Sequence, residues 1–159
     1  MLIRLAVLAS CTTLLFGPPS IRVEAVANPA TAPVKGAVFM ITGRHHGATE
    51  GFSVTGRAEG LVAGKRVSHP LTLIPAAGSP GVYGVTRQWD AGEAWVLVFS
   101  VDDPDHGDHG WAEAAVRIAA NGRVMGIDYP LGKWDATPWP RRVAAAEIDA
   151  ALAAMTSNQ

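Results

Sequence analysis

Residues 95–101 read Trp-Val-Leu-Val-Phe-Ser-Val, the strongest β-strand signal in the chain. Aromatic and β-branched residues favour strands, and a nearly continuous apolar run is typical of a strand that is covered on both faces. Successive side chains of a strand point to opposite faces. We therefore expect a central strand in which one face carries Trp95, Leu97 and Phe99 and the other carries Val96 and Val98.

Shorter strand signals lie on both sides of this run and are separated by turns. Pro70 cannot donate to a strand ladder, so its strand should lie at an edge or carry a bulge. The pair Asn121-Gly122 is a strong hairpin signal. No alternation of strands with helices, which would predict a parallel sheet, is visible. The chain is therefore predicted to be an all-β protein, an immunoglobulin-like antiparallel β-sandwich of six to seven strands within residues 34–128. The predicted strands are 37–42, 52–58, 67–74, 82–86, 95–101, 111–118 and 123–127.

Residues 129–159 are predicted to form a loop rich in Trp and Pro, followed by a short C-terminal α-helix. Pro138 suits the first position of a helix, and apolar residues recur at helical spacing over residues 144–155. Arg141 and Arg142 would then lie in the first turn, where positive charge opposes the helix dipole. A partner elsewhere would compensate for this, but we favour two solvated arginines.

Residues 1–27 have the three parts of an export signal peptide. Arg4 gives a basic start, residues 5–16 are mostly apolar, and residues 25–27 (Ala-Val-Ala) match the small-x-small pattern of a signal peptidase site. An apolar run of about a dozen residues falls short of the roughly 20 that a membrane span needs. We therefore expect no stable membrane span after cleavage.

Cleavage after Ala27 would leave residues 28–33 as a proline-spaced linker and residues 34–128 as the sandwich, located in the periplasm or outside the cell. Residues 8–11 (Leu-Ala-Ser-Cys) superficially fit a lipoprotein box. Because Cys11 lies midway through the apolar run, lipid anchoring is the minor alternative. The net charge of −1 argues against nucleic acid as a partner.

Two short motifs carry a family resemblance. Residues 80–83 (Pro-Gly-Val-Tyr) and 92–98 (Gly-Glu-Ala-Trp-Val-Leu-Val) resemble the turns that enter strands in the YtkA-like and carboxypeptidase-regulatory-like β-sandwiches of exported bacterial proteins. The resemblance extends over about residues 51–118. It implies an immunoglobulin-like fold and an accessory or binding role, and it transfers no catalytic residue.

Four of the five histidines fall in two predicted loops, residues 43–51 and 102–110. Imidazole suits zinc, copper and nickel, and nearby carboxylates could complete a ligand shell. The second loop lacks the EF-hand pattern, and Asp, Gly and His are also ordinary turn residues, which is the alternative explanation. If strand direction alternates, the two loops and residues 75–81 lie at the same end of the sandwich. The candidate metal ligands are His45, His46, His106, His109, Asp103, Asp105 and Asp108.

The sequence contains no complete catalytic motif. Residues 51–55 (Gly-Phe-Ser-Val-Thr) lack the final glycine of a nucleophile elbow. The first hypothesis is therefore an exported non-enzymatic binding or accessory protein without a cofactor, whose partner is a small ligand, a metal or a protein. The second is a periplasmic protein that binds Cu, Zn or Ni through the loop histidines. The third is an enzyme whose site cannot be recognised from the sequence.

Overall fold

Short β-rich segments between turns build a structure of antiparallel strands. The computed structural model describes residues 17–45, 53–103, 107 and 110–156. Within these residues it contains eleven strands and one helix. They are β1 (Ser20–Ala25), β2 (Phe39–Arg44), β3 (Ser53–Val62), β4 (Lys65–Pro70), β5 (Ile74–Pro75), β6 (Val82–Val85), β7 (Trp95–Asp102), β8 (Trp111–Ile118), β9 (Val124–Asp128), β10 (Leu131–Trp134), β11 (Thr137–Pro140) and α1 (Ala145–Thr156).

The strands form two main sheets and a separate hairpin. One sheet has the order β1-β2-β6-β5, the other β4-β3-β7-β8-β9, and β10 pairs with β11. All pairings are antiparallel. The first sheet matches the A-B-E-D order of immunoglobulin domains, and the second matches C′-C-F-G with β9 added at the edge. The predicted all-β sandwich with a C-terminal helix is confirmed.

The segment predicted as one strand over residues 67–74 is two strands in different sheets. β4 ends at Pro70, and β5 begins at Ile74 in the opposite sheet. β4 is an edge strand, as the missing N–H of Pro70 requires. Between the strands, the buried Leu71 donates its N–H to the Gly56 carbonyl at 2.8 Å. The crossing explains why the described residues between β1 and β10 form eight strands and not the predicted six or seven.

β7 is the central strand and is covered on both faces, as predicted. Trp95, Leu97 and Phe99 point into the core between the two sheets. Val96 and Val98 point to the outer face, where they pack against the helix α1. All five side chains are at most 1% exposed. The helix therefore forms a third layer that closes the apolar half of the outer face.

The sheet begins earlier in the chain than the sequence analysis predicts. β1 pairs with β2 along its full length, and Ile21 and Val23 lie in the core at 8% and 4% exposure. The N–H of Val23 also donates to the Tyr129 hydroxyl at 3.1 Å. The domain boundary predicted at residue 34 therefore moves to Ser20. Cleavage after Ala27 would remove a core strand, while export itself stays a prediction.

Residues 28–33 are part of a connection inside the domain and not a linker before it. They lie between β1 and β2, and the N–H of Gly36 donates to the Pro29 carbonyl at 2.9 Å. The adjacent Val34 is buried over Gly84, where an added Cβ would lie 2.4 Å from the Val34 Cβ. The segment therefore covers the outer face of the first sheet.

The C-terminal helix begins at Ala145, and not near Pro138 as predicted. Thr137–Pro140 forms β11 instead, because Asp135 and Ala136 adopt positive φ angles of 46° and 67° and turn the chain back onto β10. Positive φ at both central residues is the geometry of a tight hairpin turn. Among the described residues, no helix has the length and apolar character needed to span a membrane.

Arg141 and Arg142 precede this helix, and both have acidic partners, so the prediction of two solvated arginines is wrong. Arg141 pairs with Glu147, with 2.6 Å between Nη1 and Oε2. Glu147 also accepts the N–H of Ala144 at 2.9 Å, which caps the start of α1. The hydrogen bond from Arg141, and then that from Ala144, lowers the pKa of Glu147 to about 2.

Candidate metal centre where two loops meet

The register of the central strands brings the two histidine-bearing connections together. β3 runs antiparallel to β7, with Ser53 opposite Asp102. The connection that leads into β3 and the one that leaves β7 therefore lie at the same end of the sandwich. The N–H of Gly43 donates to the Gly81 carbonyl at 3.0 Å, which places the turn before β6 at this end as well. The described ends of the three connections therefore lie at one end of the sandwich, while most of the two histidine-bearing loops falls outside the described residues.

Two of the seven predicted ligands contact each other at this end. The Nδ1 atom of His45, directly after β2, contacts the Oδ2 atom of Asp103, directly after β7. The side chains of His45 and Asp103 are only 5% and 10% exposed. A carboxylate accepts hydrogen bonds only, so Nδ1 is the donor. This contact fixes the orientation of the imidazole ring, as carboxylates do for histidines that ligate metals.

The other ring nitrogen of His45 faces an oxygen. Nε2 lies 3.2 Å from the carbonyl oxygen of Gly17. When Nε2 is protonated, it donates a hydrogen bond to this carbonyl. A metal ion bound to Nε2 would take the place of this proton and would displace the Gly17 carbonyl from it. A proton and a metal ion would therefore compete for Nε2.

The remaining five predicted ligands lie outside the described residues. Within the described part of the chain, no group of three or more His, Cys, Asp or Glu side chains is placed to hold a metal ion. The structure thus shows one imidazole and one carboxylate together, at the base of the loops that carry the other candidates. The five are His46, His106, His109, Asp105 and Asp108.

The fifth histidine has a packing role. The Nε2 atom of His69, on β4, lies 3.0 Å from the Gln88 carbonyl oxygen. Its ring meets the Trp95 ring edge-on, with 5.4 Å between centroids. His69 is therefore a strand residue that packs against a core tryptophan.

A polar cluster that the sequence analysis missed adjoins the two loops. Glu113, on β8, is only 3% exposed and accepts hydrogen bonds from Ser100 at 2.9 Å and from the Val143 N–H at 2.6 Å. Arg142 donates to Glu113 at 3.2 Å and to Asp102 at 3.0 Å. These hydrogen bonds connect the segment before α1 to Asp102, the residue that precedes Asp103.

The same arginine also stacks on an aromatic ring. The Cζ atom of Arg142 lies 4.9 Å from the centroid of the Trp111 ring, a cation–π distance. Trp111 is the first residue of β8, so the contact lies directly after the second predicted loop. The sequence signal of this cluster was the unfavourable position of Arg142 relative to the predicted helix, and it did not indicate Glu113 as the partner.

Comparisons with family models, with curated proteins and with solved structures found no match to this chain. The resemblance to YtkA-like and carboxypeptidase-regulatory-like domains therefore stays a prediction.

Proposed function

We propose that this chain is a non-enzymatic, exported metal-binding domain that holds one divalent transition ion where its two histidine-bearing loops meet. The contact between His45 and Asp103 carries the proposal. It joins residues from both predicted loops and orients the imidazole so that Nε2, and not Nδ1, is the nitrogen that would coordinate an ion.

The chemistry of the donor set favours zinc, copper or nickel. Neutral imidazole is a good ligand for all three ions, while carboxylates and carbonyls can fill further positions. Asp103 acts through the ring of His45 by holding Nδ1–H, which makes Nε2 the coordinating atom. In this proposal, His106 and His109 supply the ligands from the second loop. His46, Asp105 and Asp108 are the candidates for the remaining positions.

Thermal unfolding with added ZnCl2 tests this proposal, on protein purified without a histidine tag. An ion that binds only the folded state stabilises it by about 2.7 kcal/mol when its concentration is 100 times the Kd. The Tm of the wild type should therefore rise. The increase should disappear in the double variant His106→Ala/His109→Ala and persist in the control His69→Gln.

The same measurement at several pH values examines the competition with protons. Histidine ligands bind metals in their neutral form, and the ordinary histidine pKa is about 6.5, so the increase in Tm should shrink below that pH. An equal increase in Tm for the wild type and the double variant would refute the proposed ligands. No increase at all with zinc, copper or nickel would refute metal binding.

A further inference from the structure

A cleft lies between α1 and the β8–β9 hairpin, at the opposite end of β8 from the histidine loops. Its volume is about 490 Å³, within the range of small-molecule sites. It is bounded on one side by the last residues of β8 and the hairpin turn, and on the other by the last two turns of the helix. The described lining residues are Arg117, Ala119, Ala120, Asn121, Arg123, Met125, Ala151, Ala154 and Met155.

The walls of the cleft are apolar and contain small residues. Ala119 on the hairpin side faces Ala151 and Ala154 on the helix side, so the open volume exists because no large side chain fills it. Met125 and Met155 also line it. Methionine is flexible and polarisable and adapts to ligands of different shape. An alkyl or aryl group fits such walls.

The rim of the cleft is positively charged. Two of the described lining residues are arginines, and none of them is acidic. Arg117 is neutralised by Asp128, with 2.8 Å between Nε and Oδ2. Arg123, in contrast, forms no ion pair with any residue that the structure describes. Among the described lining residues, Arg123 is therefore the one cation without an acidic partner, and it complements a single negative charge.

We propose that this cleft binds a small amphipathic monocarboxylate, such as a medium-chain fatty acid. The apolar tail would lie between the alanines of the helix and the hairpin, and the carboxylate would pair with Arg123. Arg117 stays bound to Asp128 and forms one wall. This site is separate from the proposed metal centre and does not depend on it.

Calorimetric titration with decanoate, below its micelle concentration, tests the proposal. The wild type should bind one decanoate per chain. Arg123→Gln should weaken binding roughly fivefold, the upper effect of an exposed ion pair. Ala154→Trp should abolish it, because the indole would occupy the cleft. The control Lys35→Gln makes the same charge change on the β1–β2 connection and should leave the affinity unchanged.

Titration with decan-1-ol separates the charged contact from adsorption of the tail. Decan-1-ol should bind the wild type and Arg123→Gln with the same affinity, and more weakly than decanoate binds the wild type. The proposal is overturned if Ala154→Trp binds decanoate as well as the wild type does. It is equally overturned if Lys35→Gln weakens binding as much as Arg123→Gln, or if the wild type does not bind decanoate.

Discussion

The imidazole of His45 contacts the carboxylate of Asp103, 58 residues further along the chain, and both side chains are nearly buried. One residue ends the strand β2 and the other follows β7, so the contact joins strands of the two different sheets at one end of the sandwich. It stabilises the fold in this structure, and it orients the ring that we propose as a metal ligand.

Removing this contact should destabilise the domain measurably. A hydrogen bond to a charged group contributes about 1.5–3 kcal/mol, so Asp103→Asn and His45→Gln should each lower the free energy of unfolding by about that amount. In a double-mutant cycle measured by urea unfolding, the two changes should be coupled by at least about 1 kcal/mol. Asp135→Asn is the control, because asparagine tolerates the positive φ at that turn. Additive effects would mean that the pair does not interact.

The strand β1 should be needed for stability. A chain that begins at Asn28 loses the burial of Ile21 and Val23, which is worth about 1.5–3 kcal/mol for each side chain. Compared with a chain that begins at Gly17, its free energy of unfolding in urea should fall by about 3–6 kcal/mol. N-terminal sequencing of exported protein should accordingly find a first residue before Ser20. Equal stability of the two chains would contradict this and would support the predicted cleavage after Ala27.

The buried carboxylate of Glu113 should hold the segment that leads into α1. Glu113→Gln weakens three hydrogen bonds to a charged acceptor, and we expect a loss of about 2 kcal/mol in urea unfolding. The amide of Val143, which donates to Glu113, should also exchange its hydrogen faster. The exposed Glu24→Gln is the matched control. Unchanged exchange at Val143 in Glu113→Gln would show that the segment is held by other contacts.

The contribution of Glu147 to the stability of the domain should depend on pH. Its pKa falls from the ordinary 4.5 to about 2 in the folded protein. A lowered pKa gives stability that is fully present above pH 4.5 and is lost as the pH falls through about 2. The difference in unfolding free energy between the wild type and Glu147→Gln should be constant above pH 5 and shrink as the pH falls. An NMR titration that places this carboxyl near its ordinary value would contradict the pairing with Arg141.

Local patterns predicted the central part of the fold, while pairings between distant segments decided the rest. Residues 95–101 form a strand because their own side chains suffice to specify one, and Pro70 marks an edge by its missing N–H. β1 was missed because the alternation of Ile21 and Val23 lies within a segment with the composition of an export signal. The hairpin of β10 and β11 was missed because Asp135-Ala136 lacks the glycine that usually marks such a turn.

The candidate site, too, was predictable only in part from the sequence. Alternating strand direction was enough to predict that the strand ends flanking the two loops lie together, because antiparallel topology fixes which connections share an end. Topology could not select the pair formed by His45 and Asp103 from seven candidates, since a contact depends on the exact path of each connection. The attachment of Arg142 to Glu113 depends on where the C-terminal segment crosses the sheet, which no local pattern encodes.

The most direct test of the proposed function is a zinc-binding isotherm for the tag-free protein at pH 7.5, measured by calorimetry on the wild type and on His106→Ala/His109→Ala. Metal binding at the meeting point of the loops predicts one Zn²⁺ per wild-type chain. It also predicts no binding above background in the double variant, with the Tm of the two metal-free proteins unchanged. Equal binding by both proteins, or no binding by the wild type, would contradict a metal site built from these loops.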